Sequence, residues 1–231
     1  ERALAIREAA FGPGHREVAY TLHLLGNLAN HRGDKTAARA FFERAITNFE
    51  ARGGAHEAGL SRGMLAAIIA DKEGLAAARP VFEAALAGLA TDGKEKINYI
   101  SAELNFAERL IDAKLCSEAA PLIAHATSVL STVNPRQMPW VLRSASRCDM
   151  AANKPGDAIA KLDEALAICK DAGCPPMLVT ELMFTQGRTL YESGRDKARG
   201  RKVIAAARAM AVEQEDAELV TELDAWSKTH P

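Results

Sequence analysis

Glu1-Arg2-Ala3-Leu4-Ala5-Ile6 opens the chain, and Glu43-Arg44-Ala45-Ile46 repeats it almost unchanged. Further copies stand at Phe82-Glu83-Ala84-Ala85-Leu86, around Ala126, at Asp163-Glu164-Ala165-Leu166-Ala167-Ile168 and, loosely, at Ala205-Ala206-Ala207. With Ala3, Ala45, Ala85, Ala126, Ala165 and Ala206 as anchors, the spacings are 42, 40, 41, 39 and 41 residues. A period of this length marks a stack of like units. Each unit buries a strip against its neighbours instead of closing around one central core.

Each period divides into two helical halves. In residues 17–52, Leu22, Leu25 and Ala29 recur at helical spacing, Arg32-Gly33-Asp34 supplies a stop followed by an N-cap residue, and Ala38, Phe42, Ala45 and Ile46 form a second apolar face. Applied along the chain, this reading predicts a lone second helix in 1–12, helix pairs in 14–53, 55–92, 94–132, 136–172 and 176–211, and a terminal capping helix in 213–229, all within one repeat domain. Breaks are expected at Lys72-Glu73-Gly74, Asn134-Pro135, Asn153-Lys154-Pro155-Gly156-Asp157 and Ser193-Gly194-Arg195-Asp196. Alanine-rich composition with only 5% aromatic residues favours helix over sheet throughout.

Helices that cross closely need small side chains at the crossing. Gly26, Ala66, Ala107, Ser146 and Gly187 hold one equivalent place in the first helices, and Ala38, Ala78, Ala119 and Ala158 hold one in the second. Phe42, Phe82, Ile123, Leu162 and Val203 are expected to plug the gaps between units. Each would bury most of its apolar surface, worth roughly 1.5–3 kcal/mol. The pattern Leu25-Gly26, Gly33-Asp34, Ala38, Phe42, Ala45 resembles the tetratricopeptide repeat, and Gly187, Leu190, Gly194 and Ala206 match it in part. In the last pair Arg199 stands where a small residue is usual, with Ala198 one place early. The long period, with Ala3–Glu8 and Phe11–Ala19, is similar to the kinesin-light-chain type. The resemblance implies an all-α, right-handed superhelical solenoid of antiparallel helix pairs whose first helices line a concave groove. The ending Ala217–Trp226 is similar to the C-termini of bacterial multidomain signalling proteins, serine/threonine kinases among them.

Composition sets the outer limits on function. A net charge of −1 gives no global attraction to nucleic acid, membrane or acidic substrates. No apolar run reaches spanning length, and charges at Glu1, Arg2, Arg7 and Glu8 interrupt any leader-like start. The chain starts inside a repeat, without an initiator Met, so a longer parent is expected. Cys116, Cys148, Cys169 and Cys174 form no Cys-x-x-Cys and are expected as reduced thiols of a cytoplasmic protein, although Cys169 and Cys174 straddle a helix end and could pair. No catalytic motif appears, and neither cofactor nor metal is expected.

Under the tetratricopeptide register the groove-facing residues are Tyr20, His23, Asn27 and Asn30 in the first pair, the open stretch Leu60, Gly63, Ala67 and Ala70 in the second, and Ser101, Leu104, Glu108 and Ile111 in the third. Trp140, Arg143, Arg147 and Met150 follow in the fourth pair, and Phe184, Arg188 and Tyr191 in the fifth. Arg143, Arg147 and Arg188 have three readings. They could hold an acidic or C-terminal-carboxylate peptide, stand solvated, or pair internally with Glu108, Glu181 or Glu192. His23, Asn27 and His31 share a face. A metal there would need a third strong ligand, whereas Asn amides pair well with an extended backbone.

The expected function is a protein–protein or peptide interaction scaffold that binds a partner segment in the groove, as a recruiting or regulatory region of a larger bacterial protein. The alternative is a ligand- or signal-peptide sensor that changes curvature on binding. An RNA-reading array is disfavoured by the neutral charge. Self-association is a further expectation, through an apolar face at Leu4, Ala5 and Ala9.

Overall fold

Small residues flank bulky ones along the second helices of three of the predicted pairs. In a computed structural model of the chain, which describes residues 2–230, Ala38, Phe42 and Ala45 are wholly buried, as are Ala78, Phe82 and Ala85, and Ala158, Leu162 and Ala165. The described residues form twelve α-helices and no strand. They gather into two compact units, Glu1–Ala113 and Lys114–Pro231. The first holds α1 (Arg2–Phe11), α2 (Arg16–His31), α3 (Lys35–Glu50), α4 (Ala55–Glu73), α5 (Leu75–Leu89) and α6 (Ile97–Asp112). The second holds α7 (Cys116–Val133), a 3₁₀ turn (Pro135–Gln137), α8 (Met138–Ala151), α9 (Pro155–Ala172), α10 (Pro176–Glu192), α11 (Lys197–Glu213) and α12 (Ala217–Thr229). Glu1, the first residue of the opening repeat copy, lies outside the described residues.

Local chemistry explains the pairs. Gly33 takes φ +80°, which an L side chain resists, and Asp34 then caps α3 by accepting from the Ala37 amide at 2.9 Å. Asp196 and Asp216 do the same for α11 and α12, accepting from the Arg199 and Leu219 amides at 2.8 and 3.0 Å. At the α2–α3 crossing, a Cβ on Gly26 would fall 2.6 Å from the Phe42 ring, so only glycine lets the two helices meet there.

Of the two helices predicted as the third pair, α6 closes one unit and α7 opens the other. Each helix is anchored to its own side: Phe106 of α6 stacks on Phe82 of α5 at 4.9 Å, while Cys116 of α7 is bonded to Cys148 of α8.

One expectation is corrected in the last pair. Gly200, Ile204 and Ala207 are buried, Val203 is half-buried, and Ala206 is exposed. The crossing residue is therefore Gly200, where a Cβ would fall 2.8 Å from the Gly187 carbonyl oxygen.

Another correction concerns the cysteines. All four are paired, as Cys116–Cys148 and Cys169–Cys174, with Cα–Cα distances of 5.4 and 4.7 Å. Antiparallel neighbours bring together two cysteines that lie 32 residues apart in sequence. The pairing removes the basis for expecting reduced thiols in a cytoplasmic protein.

At the N-terminal end, α1 buries none of its residues, and Ile6 and Phe11 are 58% and 53% exposed. No described helix is long and apolar enough to cross a membrane.

Candidate functional site

In the Glu1–Ala113 unit, α2, α4, α5 and α6 surround a recess of about 180 Å³. Its buried floor is Gly59, Gly63, Leu89 and Ala102, and Leu60 and Met64 of α4 are half-buried beside it. Asn98, Ser101 and Asn105 of α6 stand exposed along one side, and the half-buried His23 and Asn27 of α2 line the other. None of these side chains carries a formal charge at neutral pH once His23 is held neutral. Burial does hold it so, by pushing the imidazole pKa below its ordinary value.

His23 and Asn27 form an ordered chain. The His23 Nδ1 lies 3.0 Å from Ser61 Oγ, and Ser61 Oγ reaches the Glu57 carbonyl at 3.4 Å. The other ring nitrogen, Nε2, lies 3.1 Å from Asn27 Nδ2. With Asn27 donating to Nε2, the neutral ring donates from Nδ1 to Ser61 and Ser61 donates to Glu57. Asn27 Oδ1 is then left over: it is enclosed and has no hydrogen-bond partner. The geometry thus produces one unused acceptor, on a residue that lines the recess.

The other sequence-selected residues are engaged elsewhere. The Tyr20 hydroxyl donates to Glu57 Oε1 at 3.0 Å, its ring meets Phe49 edge-on at 5.1 Å, and Arg16 pairs with the same carboxylate. Asn30 Oδ1 accepts from Lys35 Nζ at 2.8 Å. Glu108, on α6, has a partner of its own. In the Lys114–Pro231 unit, Arg143 pairs with Glu181 of α10 and Arg188 donates to Glu192 at 3.2 Å. These are two of the internal pairings weighed from sequence. Arg147 is not free either, and Trp140 is half-buried on the same helix.

Phe184 is corrected outright. It is 5% exposed and packs in a core with Ile204, Leu219 and Leu223, so no guest can reach it. Tyr191 lies edge-on to Trp226 at 5.2 Å, with the Lys197 and Arg201 cations over its ring. The terminal helix α12 thus covers this stretch of α10. Among the described residues no three His, Cys, Asp or Glu side chains come together to hold a metal.

Sequence reasoning placed His23, Asn27 and, opposite them, Ser101 on the groove face but missed Asn98 and Asn105. Asn98, Asn105 and Ser101 recur on α6 at spacings of three, four and seven, which brings them to one helix face. That spacing was the available signal.

These features define a class: an all-α array of antiparallel helix pairs packed through small-and-large crossings. The tetratricopeptide repeat family matches residues 1–51. The fold is similar to that of a Rap protein solved in complex with competence and sporulation factor (TM-score 0.76, 13% identity, 89% of this chain and 57% of that one). The chain therefore spans a little over half of the Rap protein's length. It is also similar to a kinesin light chain of Podosopora anserina with nearly identical TPR-like repeats (TM-score 0.63, 16% identity, 87% of this chain and 98% of that one). A third likeness is to BtubC (BKLC) of P. vanneervenii (TM-score 0.71, 14% identity, 93% of this chain and 87% of that one). No curated protein matches the sequence. At these identities the likeness speaks for the fold.

Proposed function

We propose that the chain is a protein–protein interaction scaffold whose Glu1–Ala113 unit holds an extended segment of a partner along the recess between α2, α4 and α6. The observation that carries this reading is Asn27 Oδ1, an enclosed acceptor without a partner on the wall of an open recess. An unsatisfied buried acceptor costs about 1–3 kcal/mol, which is recovered when the half-buried Asn27 side chain turns its amide into the recess to meet a guest N–H. An extended backbone offers such an N–H, and the exposed Asn98 and Asn105, two helical turns apart on α6, supply further amides that can pair with it. Support also comes from the fold itself, shared with a Rap protein solved with a factor bound. The absence of full charges around the recess favours an uncharged stretch of the partner. The acidic or carboxylate guest drawn from Arg143, Arg147 and Arg188 loses its footing, because these arginines are already engaged within the unit.

The test is to select binders from a displayed library of randomised nonapeptides and measure their Kd by fluorescence polarisation. Asn27→Ala is expected to weaken the selected peptides about three- to tenfold, the worth of one hydrogen bond. Peptides that bind the Asn27→Ala and wild-type proteins equally would defeat this reading.

A further inference from the structure

Unit Glu1–Ala113 has four glycines inside its helices, and three have a steric reason to be there. A Cβ on Gly26 would meet the Phe42 ring at 2.6 Å, one on Gly59 the Ala85 carbonyl oxygen at 2.9 Å, and one on Gly88 the Ala55 carbonyl oxygen at 2.5 Å. Gly63 has no such reason. A Cβ there would meet only the Ala102 Cβ, at an ordinary 3.7 Å. Glycine in mid-helix is less stable than alanine, because it loses more freedom on folding. The backbone of α4 is regular at Gly63, so no special conformation requires glycine either. What the missing side chain does achieve is space, since Gly63 forms part of the recess floor.

We propose that Gly63 keeps open a pocket that admits one uncharged, apolar side chain of the bound partner segment. The inference rests on the groove reading above and adds to it the chemistry of the guest. Size supports it, since about 180 Å³ lies below the roughly 300–1,000 Å³ of sites that enclose a whole small molecule. The space therefore suits one side chain with its flanking backbone outside. The lining supports it too. Leu60, Met64, Leu89 and Ala102 surround the gap with apolar atoms, and no charged residue lines it to neutralise an ionic guest. A buried charge without a counter-charge is strongly disfavoured, so Asp, Glu, Lys and Arg are excluded from this position. Asn27, on the wall, reaches the backbone N–H beside the inserted residue once its amide turns into the recess.

Gly63→Ala separates a structural glycine from one that keeps a pocket open. Peptides selected on the wild-type protein from the randomised nonapeptide library are expected to share Leu, Met or Phe at one position. Changing that residue to Ala should weaken binding by tenfold or more. Gly63→Ala should raise the melting temperature by a few degrees, as a helix gains alanine, yet weaken the same peptides. Gly63→Leu should fill the pocket and make the Leu and Ala forms of a peptide bind alike. If Gly63→Leu does not fold, Gly63→Ala decides. Peptides that bind the wild type and both Gly63 variants equally would overturn the pocket and leave the groove reading intact. A shared charged residue among the selected peptides, or a lower melting temperature in Gly63→Ala, would also overturn it. A library in which nothing binds the wild type would overturn both.

Discussion

His23 is held between two neighbours that a neutral ring satisfies, Ser61 on one nitrogen and Asn27 on the other. Burial pushes its pKa below the ordinary histidine value, because a charged imidazole there would lose its hydration. As pH falls below about 6.5, the unfolded chain therefore takes up a proton that the folded chain refuses. The unfolded state then binds more protons than the native one, so stability declines as the solution is acidified and is regained above that range. Urea midpoints at pH 7.5 and 5.5 should differ more in the wild type than in His23→Gln, whose amide does not titrate. Equal differences would show that another group controls the acid response. The same residue shows what the chain discloses unaided. Its groove-facing placement follows from its spacing to Gly26, whereas the enclosed Asn27 oxygen beside it appears only when side-chain geometry is known.

At the scale of helices, the crossings set stability, and α11 offers a sharp comparison. Ile204→Ala removes a plug that is 3% exposed and should cost about 2–5 kcal/mol. Val203→Ala, one residue earlier and half-buried, should cost less than about 1 kcal/mol. Thermal or urea unfolding of the two variants checks which register holds, and the reverse order would restore the one read from sequence. The misreading has a simple origin. In the α2–α3 and α8–α9 pairs the two crossing residues lie twelve apart across three-residue turns, as in Gly26 to Ala38, but Gly187 and Gly200 lie thirteen apart across the four-residue turn 193–196. The periodic interior of the other pairs was legible, since alternation of small and bulky residues leaves little choice of packing. Contacts between long side chains were not. The pairing of Arg143 with Glu181 depends on two flexible chains from different helices, and the burial of Phe184 depends on how α12 docks over α10. Gly63 could be assigned to the groove from its register, but its lack of any steric reason could not.

Across the whole molecule the covalent cross-links are unevenly shared. Both disulfides lie in the Lys114–Pro231 unit, and residues 1–113 contain no cysteine. By loop-closure entropy, the bridge across 32 residues is worth roughly 3–4 kcal/mol and the short one about 2 kcal/mol. Adding a reductant should lower hydrogen-exchange protection in α7, α8 and the end of α9, while α2 to α5 keep theirs. Uniform loss of protection over both units, or none in either, would contradict this assignment.

The Cys116–Cys148 link also changes how the molecule responds to mechanical load. A chain pulled from its two ends cannot release the segment between those sulfurs while the bond holds. Because 32 residues separate the two cysteines, full extension should fall short by roughly 100 Å relative to the reduced protein. In an optical trap, that missing contour length would report the redox state of a single molecule directly.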